Sequence, residues 1–336
     1  MPIICRYYSS CNAGQSWTHY ANRTAFYRHQ IIPRTLVDTN NRDTATTIFG
    51  HRVNAPVGFA PIGINRIYHP TGELSVAKVA EELGLAYSLS SAGSYSIEDV
   101  AKANGNGLRF FQLYMSPDDE QVISMLKRAH ENGYEAMMLT TDTWQLAWRH
   151  NDVFHGNYAF YHDHGAGGLG LEDPVFLKRL EEAGIDPKKN PKEAGAKWID
   201  ENIWHGHAHT WAKMPWLIQQ WKEISGGKPM MLKGIQSVAD AKKAVELGVD
   251  GIVVSNHAGR QVDGAIASLD ALEKIADAVG DQTTVSSNVM FSILWRMLIV
   301  NHRSCLTREF EAPPTSSKLW HLAPNLSLSG VYGSGA

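Results

Sequence analysis

One pattern of apolar and polar positions recurs along the first 284 residues. An apolar face at helical spacing ends on a glycine. A short β-branched run follows and stops in polar residues. VAKVAEELGLAYSLSS (76–91), VISMLKRAHENGYEAMMLTTD (122–142) and VADAKKAVELGVDGIVVSNH (238–257) all read this way. In the last, Ser237 is a good N-cap with Asp240 three residues on, and Val238, Ala241 and Val245 share one face. Gly248 suits the position just past the helix end. Helices alternating with buried strands predict a parallel sheet with right-handed crossovers. Strands are predicted near 56–60, 86–89, 108–113, 136–140, 230–233 and 251–255. They fit an open doubly wound sheet or a (β/α)8 barrel with strands 7 and 8 not recognisable.

The polar residues distinguish these architectures. Ser90, Gln112 with Tyr114, Thr140 with Asp142, Lys233 and His257 each fall at the C-terminal end of a predicted strand. In a barrel those ends converge on one face, where active sites sit; in an open sheet they are strung along an edge. Convergence favours an α/β fold of the TIM-barrel type, incomplete at its end. The stretch 143–229 carries no obvious barrel strand and is rich in Gly, Asp, His and Trp. A segment this long within a compact domain is usually functional or mobile. It is predicted to be an excursion after the fourth strand, forming a lid.

Composition narrows the chemistry. Hydrophobic residues make up 43% of 336, enough for a sizeable core, and a net charge of −3 argues against nucleic acid as the main ligand. No run of eighteen apolar residues marks a membrane span. The start, MPIICRYYSS, has too short an apolar stretch for a signal peptide, and Cys5, Cys11 and Cys305 lack metal-ligand spacing. Ser317-Lys318-Leu319 spells a peroxisomal signal but stands away from the C-terminus, so the expected location is cytoplasmic.

SNHAGRQVDGA (255–265) is the strongest chemical signal. His257 and Arg260 put a base and a fixed cation just past a buried strand and among glycines. A strand-end histidine is also often purely structural. The segment resembles the S-N-H-[GA]-G-R-Q signature of the FMN-dependent α-hydroxy-acid oxidases and dehydrogenases. APIG (60–63), FQLY (111–114), LTTDTWQLAWRHND (139–152) and LKGI (232–235) follow the same family's order, and NRTAFYRHQIIPRTLVD (22–38) is similar to its N-terminal stretch. The resemblance covers about 8–284.

What it implies can be carried over position by position. His257 matches the catalytic base, and Asp142 the carboxylate that bonds it and raises its pKa. Arg149 and Arg260 match guanidinium groups that hold the substrate carboxylate. Tyr114 matches a phenol on the substrate oxygen, and Tyr8 a second one, in a stretch where YSSCNAG (8–14) partly replaces the expected glycines. For FMN, the backbone of Pro61, Ile62 and Gly63 matches the strand end against the flavin N5 edge. Ser90, Gln112 and Thr140 match side chains that bond the ring system, and Lys233 the cation beside N1 and the C2 carbonyl. The implied reaction oxidises a small L-2-hydroxy acid, lactate-like, to the 2-oxo acid; the acceptor is O2, and the assembly a homo-oligomer. DPVFLKRLEEAGIDPKKNPKEAGAKWIDENIWHGHAHTW (173–211) resembles the extended loop of lactate 2-monooxygenases, which decarboxylate the product oxidatively under a lid.

Other signals are weaker. His205, His207 and His209 alternate in WHGHAHTW (204–211), but no Cys or carboxylate stands at ligand spacing, so no metal is expected. HGAGGLG (164–170) follows no strand, and KEISGGK (222–228) lacks a Ser or Thr after Lys228, so neither is a phosphate loop.

The domain 1–284 is followed by a tail, 285–336, that departs from the family. There the family carries a strand ending in Asp-Ser-Gly-x-Arg and another ending in Gly-Arg, which bind the FMN phosphate. Val285-Ser286 can be encoded by a 5′ splice sequence and His302-Arg303 by a 3′ acceptor. With that stretch removed and the frame shifted, a permitted choice of codons reads V-M-F-D-S-G-V-R-G-A-S-D-V-F-K-A-L-A-L-G-A-K-S-V-F-V-G-R. The expectation is a retained intron over 285–303 with 304–336 out of frame, giving a chain that binds FMN poorly.

Overall fold

A computed structural model describes residues 11–287, apart from 31, 34, 39, 157 and 162–166. Tyr8 and residues 288–336 lie outside the described residues. A helix, α1 (Trp17–Tyr27), precedes a small antiparallel hairpin of β1 (Thr46–Ile48) and β2 (His51–Val53). Phe49 and Gly50 turn that hairpin with positive φ (48° and 83°). This is the backbone that a tight hairpin turn demands.

Seven parallel strands follow: β3 (Gly58–Phe59), β4 (Ala86–Ser90), β5 (Arg109–Leu113), β6 (Ala136–Thr140), β7 (Met230–Ile235), β8 (Gly251–Val254) and β9 (Thr284–Ser287). Each pairs with its sequence neighbours in a curled sheet that is open between β9 and β3 among the described residues. Helices α2 (Gly72–Leu83), α3 (Ile97–Asn104), α4 (Asp119–Glu131), α9 (Val238–Glu246) and α10 (Ser268–Val279) are crossovers between successive strands. Ser237 caps α9 by accepting from Asp240 N, and Gly248 just beyond it has φ 78°.

The six expected strands stand where the apolar runs placed them. The seventh is a correction: Val285, Ser286 and Ser287 pair with Ile252, Val253 and Val254 of β8, so strand 7 starts within the stretch assigned to the tail. Thr-Val-Ser-Ser carries one strongly apolar residue and gives little periodic signal; the open edge of β8 supplies the backbone partners.

Alternation along the strands builds two cores. Leu89, Phe111, Leu113, Leu139, Leu232, Ile252 and Val254 pack with the helices. Ala86, Phe110, Ala136, Met138, Met231 and Val253 form a separate inner cluster, closed at one end by Ile48 and Phe49 of the hairpin. Two residues further along the same strands, the inner positions become Gln112, Thr140, Lys233 and Ser255, all buried. A greasy plug thus carries a polar layer at its C-terminal end.

The stretch 143–229 contains α5 (His150–Phe154), α6 (Pro174–Glu182), α7 (Pro191–Trp198), a π-helical turn (Ile199–Ile203) and α8 (Met214–Ser225). The last of these corrects the lid assignment. Leu217 and Trp221 of α8 are fully buried, and the helix packs along α4 as the ordinary crossover from β6 to β7. The rest is tied down by an ion cluster centred on buried Arg128 and Asp173. Arg128 of α4 donates to Asp173 Oδ2 at 3.0 Å and to both oxygens of Glu98. Asp173 also caps α6 through Val175 N and Phe176 N. The glycine run has a packing role: a Cβ on Gly170 would stand 2.1 Å from the Trp198 ring.

Candidate active site

The polar layer is a hydrogen-bonded row. Ser90 Oγ donates to Gln112 Oε1 at 2.9 Å, and Gln112 Nε2 donates to Thr140 Oγ1 at 2.8 Å. Lys233 is next in the sheet, paired in register with Thr140. Its ammonium, 3% exposed, lies 3.8 Å from Asp142 Oδ2 and 3.4 Å from His257 Nδ1. Asp142 Oδ1 is 2.7 Å from the same Nδ1. Gly234 makes this approach possible. Its φ is 105°, and a Cβ there would stand 2.8 Å from Asp142 Cγ. The β7–β8 register also shifts between Lys233 and Ile235.

His257 and Ala258 are non-glycine residues at φ 54° and 58°, followed by Gly259 at 75°. Left-handed backbone costs about 1–2 kcal/mol per non-glycine residue and persists only where the surroundings fix it. The N-terminal segment does this. Ala13 N donates to Gly259 O at 3.0 Å, and a Cβ on Gly259 would meet His19 N at 2.7 Å. Asn22 and Asn256 exchange amide hydrogen bonds (2.9 and 2.8 Å), and Asp263 accepts from the backbone of Gln15 and Thr18. Asn65 N and Ser94 N both donate to buried Glu73, which ties the loop after β3 to the loop after β4.

The electrostatics are set by burial and two cations. Burial pushes the His257 imidazole down to about 4; Asp142 opposes this, while Lys233 and Arg149 add to the fall. Asp142 does pull the value up, as the sequence reading expects of it, but burial and the two cations outweigh that pull. For Asp142, burial works toward protonation, yet His257, Lys233 and the Thr143 hydroxyl hold it well below the usual carboxylate range. Burial likewise lowers Lys233, against Asp142. Near neutral pH the pair is a carboxylate beside a neutral imidazole. With Asp142 Oδ1 against Nδ1, the ring proton belongs on Nδ1, and Nε2 keeps the free lone pair.

Arg149, 4% exposed, donates from Nε to Arg260 O at 3.2 Å and from Nη2 to Gln261 Oε1 at 3.2 Å. Arg260 Nη1 donates to Cys11 O at 3.0 Å. Tyr114 follows β5 and packs its ring on Trp204 of the excursion at 5.1 Å, and Trp204 in turn meets Phe160 edge-on at 5.3 Å. His205 Nε2 and His209 Nε2 both reach Met115 O, at 3.0 and 2.6 Å, fastening the excursion beside Tyr114. After β3, Ile62 O accepts from Asn65 Nδ2, and Gly63 backs onto Ala92, where a Cβ would have 3.1 Å. The structure thus joins Ser90, Gln112 and Thr140 in one row. It joins Lys233, Asp142 and His257 in one cluster, and Arg149 with the Arg260 backbone in a third group.

Residues 1–288 match the sequence profile of the FMN-dependent dehydrogenase family. The chain belongs to that family. An FMN-dependent alpha-hydroxy acid dehydrogenase of Penicillium citrinum is 42% identical over 278 residues, covering 83% of this chain and 67% of the relative. An L-lactate oxidase of Lysinibacillus sphaericus is 38% identical, covering 83% and 68%. Among solved structures, a mandelate oxidase mutant with (S)-mandelic acid aligns with a TM-score of 0.69 at 30% identity, covering 85% of this chain and 73% of the other.

The polar layer fits the family's cofactor. A flavin ring offers carbonyl and ring-nitrogen acceptors and takes on negative charge at N1 when reduced. Here a buried row of hydroxyl and amide groups ends in a buried ammonium whose nearest carboxylate oxygen is 3.8 Å away. That donor set suits the ring edge. Two contributors went unassigned in the sequence although they lie inside its motifs. Thr143, in LTTDT, is 3.0 Å from His257 Nδ1, and Gln261, in HAGRQ, bridges Arg149 to the carbonyl of Gln145.

Proposed function

We propose that this protein oxidises a small, lactate-like L-2-hydroxy acid to the 2-oxo acid with FMN as the first electron acceptor. The observation that carries the reading is the buried Asp142–His257 pair, 2.7 Å apart, beside Lys233 at the polar strand ends. His257 Nε2 accepts the substrate proton, and Asp142 stabilises the imidazolium that results. Arg149 and Arg260 hold the substrate carboxylate, with Tyr114 on the substrate oxygen. FMN held by Ser90, Gln112, Thr140 and Lys233 would supply the two-electron acceptor, with O2 as the final oxidant. Lys233 neutralises charge that collects at the ring edge.

A place near the lactate 2-monooxygenases is proposed from the excursion. Its Trp204 and two histidines seat it beside Tyr114, as a cover that delays product release requires. A homo-oligomer is supported by α1, which keeps Trp17, Tyr20 and Tyr27 exposed at spacings that fall on one side of the helix. The deciding experiment is anaerobic mixing of the FMN-loaded protein with L-lactate and with glycolate. The visible flavin absorbance should bleach, and at saturating FMN His257→Ala should slow this about 10²–10⁴-fold. FMN-loaded protein that no 2-hydroxy acid bleaches would overturn the proposal.

We also propose that residues 285–303 derive from a retained intron, on the departure from the family motifs described above. The flavin ring then keeps its partners on β3–β7, whereas the phosphate lacks the arginines of the two family motifs. The chain should hold FMN weakly, and little better than riboflavin. Genomic DNA without a splice donor near codon 285 would refute the intron origin, and tight stoichiometric FMN in the 336-residue product would refute the weak binding.

A further inference from the structure

Thr143 stands directly after Asp142 at the end of β6, and its side chain is buried. Its hydroxyl donates to Asp142 Oδ1 at 2.9 Å, and the same oxygen lies 3.0 Å from His257 Nδ1. Nδ1 is itself 2.7 Å from Asp142 Oδ1. Three polar atoms therefore form a closed triangle. A hydroxyl that gives its proton to Oδ1 turns a lone pair toward Nδ1, and the carboxylate does the same. Both are compatible only with a protonated Nδ1. The other arrangement, Thr143 donating to a bare Nδ1, would set that lone pair against a carboxylate oxygen at 2.7 Å.

We propose that Thr143 is a positioning residue for the base: its hydroxyl fixes the Asp142 carboxylate and the Nδ1–H tautomer, and its claim on Oδ1 restrains the basicity of His257. The groups facing the imidazole are Asp142 and Thr143 from the end of β6, Lys233 from β7 and Arg149 from the excursion. Lys233 also approaches both members of the pair; its ammonium, a donor only, stands 3.4 Å from Nδ1 and favours a bare Nδ1, so the Nδ1–H tautomer rests on Asp142 and Thr143 together. Thr143 acts differently. It takes up part of the carboxylate's hydrogen-bonding capacity, so the carboxylate pulls less on Nδ1–H. The base stays weak enough to be neutral at working pH and to release its proton after turnover. The inference rests on His257 being the base, but its central test does not need the reaction.

The full chain, free of FMN and carrying ¹⁵N-histidine, reports the tautomer and titration of His257 by NMR, with His257→Gln assigning the signal. Wild type should show Nδ1–H at neutral pH. Thr143→Val keeps the shape but removes both the donor to Oδ1, whose loss raises the His257 midpoint, and the acceptor beside Nδ1, whose loss lowers it. The charge-assisted contact to the carboxylate is the stronger, so the midpoint should rise by about half a pH unit. Thr143→Ser should restore the wild-type midpoint. In FMN-loaded protein the same Val variant should move the acid limb of the kcat profile the same way, with KM changed less than about twofold. An Nε2–H tautomer in wild type, or a Val midpoint within about 0.2 unit of wild type, overturns the proposal. If the Val variant does not fold, Thr143→Ala against Thr143→Ser makes the same comparison. A shifted midpoint in a protein whose flavin no 2-hydroxy acid reduces would overturn the reaction and leave the positioning role standing.

Discussion

Asp142→Asn isolates the charge of one buried atom group. The carboxylate is 8% exposed, with His257 Nδ1 at 2.7 Å and Lys233 Nζ at 3.8 Å. Before proton transfer the imidazole is neutral and gains only a hydrogen bond from Asp142. Afterwards it is a cation beside an anion. At an effective dielectric constant near 20, two unit charges about 4 Å apart attract by about 4 kcal/mol. Each factor of ten in rate is about 1.4 kcal/mol, which sets a scale of about three orders of magnitude. The asparagine carbonyl can still accept from Nδ1, so the expected loss is about 10²–10³-fold in flavin reduction, read by anaerobic stopped-flow absorbance. A flipped amide would present N–H to Nδ1 and put the ring proton on Nε2, which disables the base altogether. Both orientations predict a loss. A reduction rate within about threefold of wild type, in a variant with unchanged circular dichroism, would refute the claim that Asp142 stabilises the imidazolium.

Arg149→Lys should weaken binding of oxalate about tenfold, because an ammonium cannot keep both its Gln261 contact and a two-point grip on a carboxylate; equal affinity by titration would place Arg149 outside the substrate site. His257 gives a signed pH effect: its folded-state value, about 4, lies below the ordinary 6.5, so the unfolded chain takes the proton first as pH falls. Stability should therefore be full above 6.5 and decline toward 4, by roughly 1.4 kcal/mol per unit of separation at most, with Asp142 acting in the same direction at still lower pH. His257→Gln should flatten the urea-midpoint profile across that window, and an unchanged slope would count against the assignment. Arg128→Met leaves Asp173, which is fully buried, without its cation, and should cost about 3–5 kcal/mol in urea unfolding; a loss below about 1 kcal/mol would show the cluster to be dispensable.

The barrel strands were legible because each changes character at a fixed point. Phe110 gives way to Gln112, Met138 to Thr140, and Met231 to Lys233, two residues further along the same inner face. Local periodicity records that change directly. It does not record pairing, and β9 exists by pairing: Thr284–Ser287 would pass for loop without the edge of β8 beside it. Met214, Leu217, Ile218 and Trp221 fall at helical spacing, yet the polar stretch before them drew α8 into the lid. Motifs marked Asp142 and His257 but left Thr143 and Gln261 unassigned, since side-chain direction is a property of the folded backbone. The low His257 value had the same origin, as burial and the nearness of Lys233 and Arg149 arise only on folding.

The docking of the N-terminal segment on the catalytic loop bears on the order in which the molecule assembles. Thr18 Oγ1 donates to Val262 O across 244 residues of chain and accepts from Ala265 N across 247. Contacts of such separation form late, because the intervening chain must be ordered before they repay closure. We therefore expect the sheet to form first and the left-handed turn at His257–Gly259 to be set last, when α1 closes over it. In refolding followed by pulsed hydrogen exchange, the amides of Ala13 and Gly259, each bonded across or beside this junction, should gain protection after those of β5 and β6. Protection acquired together with β5 would contradict this order. On this view the enzyme acquires its barrel before it acquires its base, and a nascent chain has no reactive histidine in place until its first helix returns to its last third.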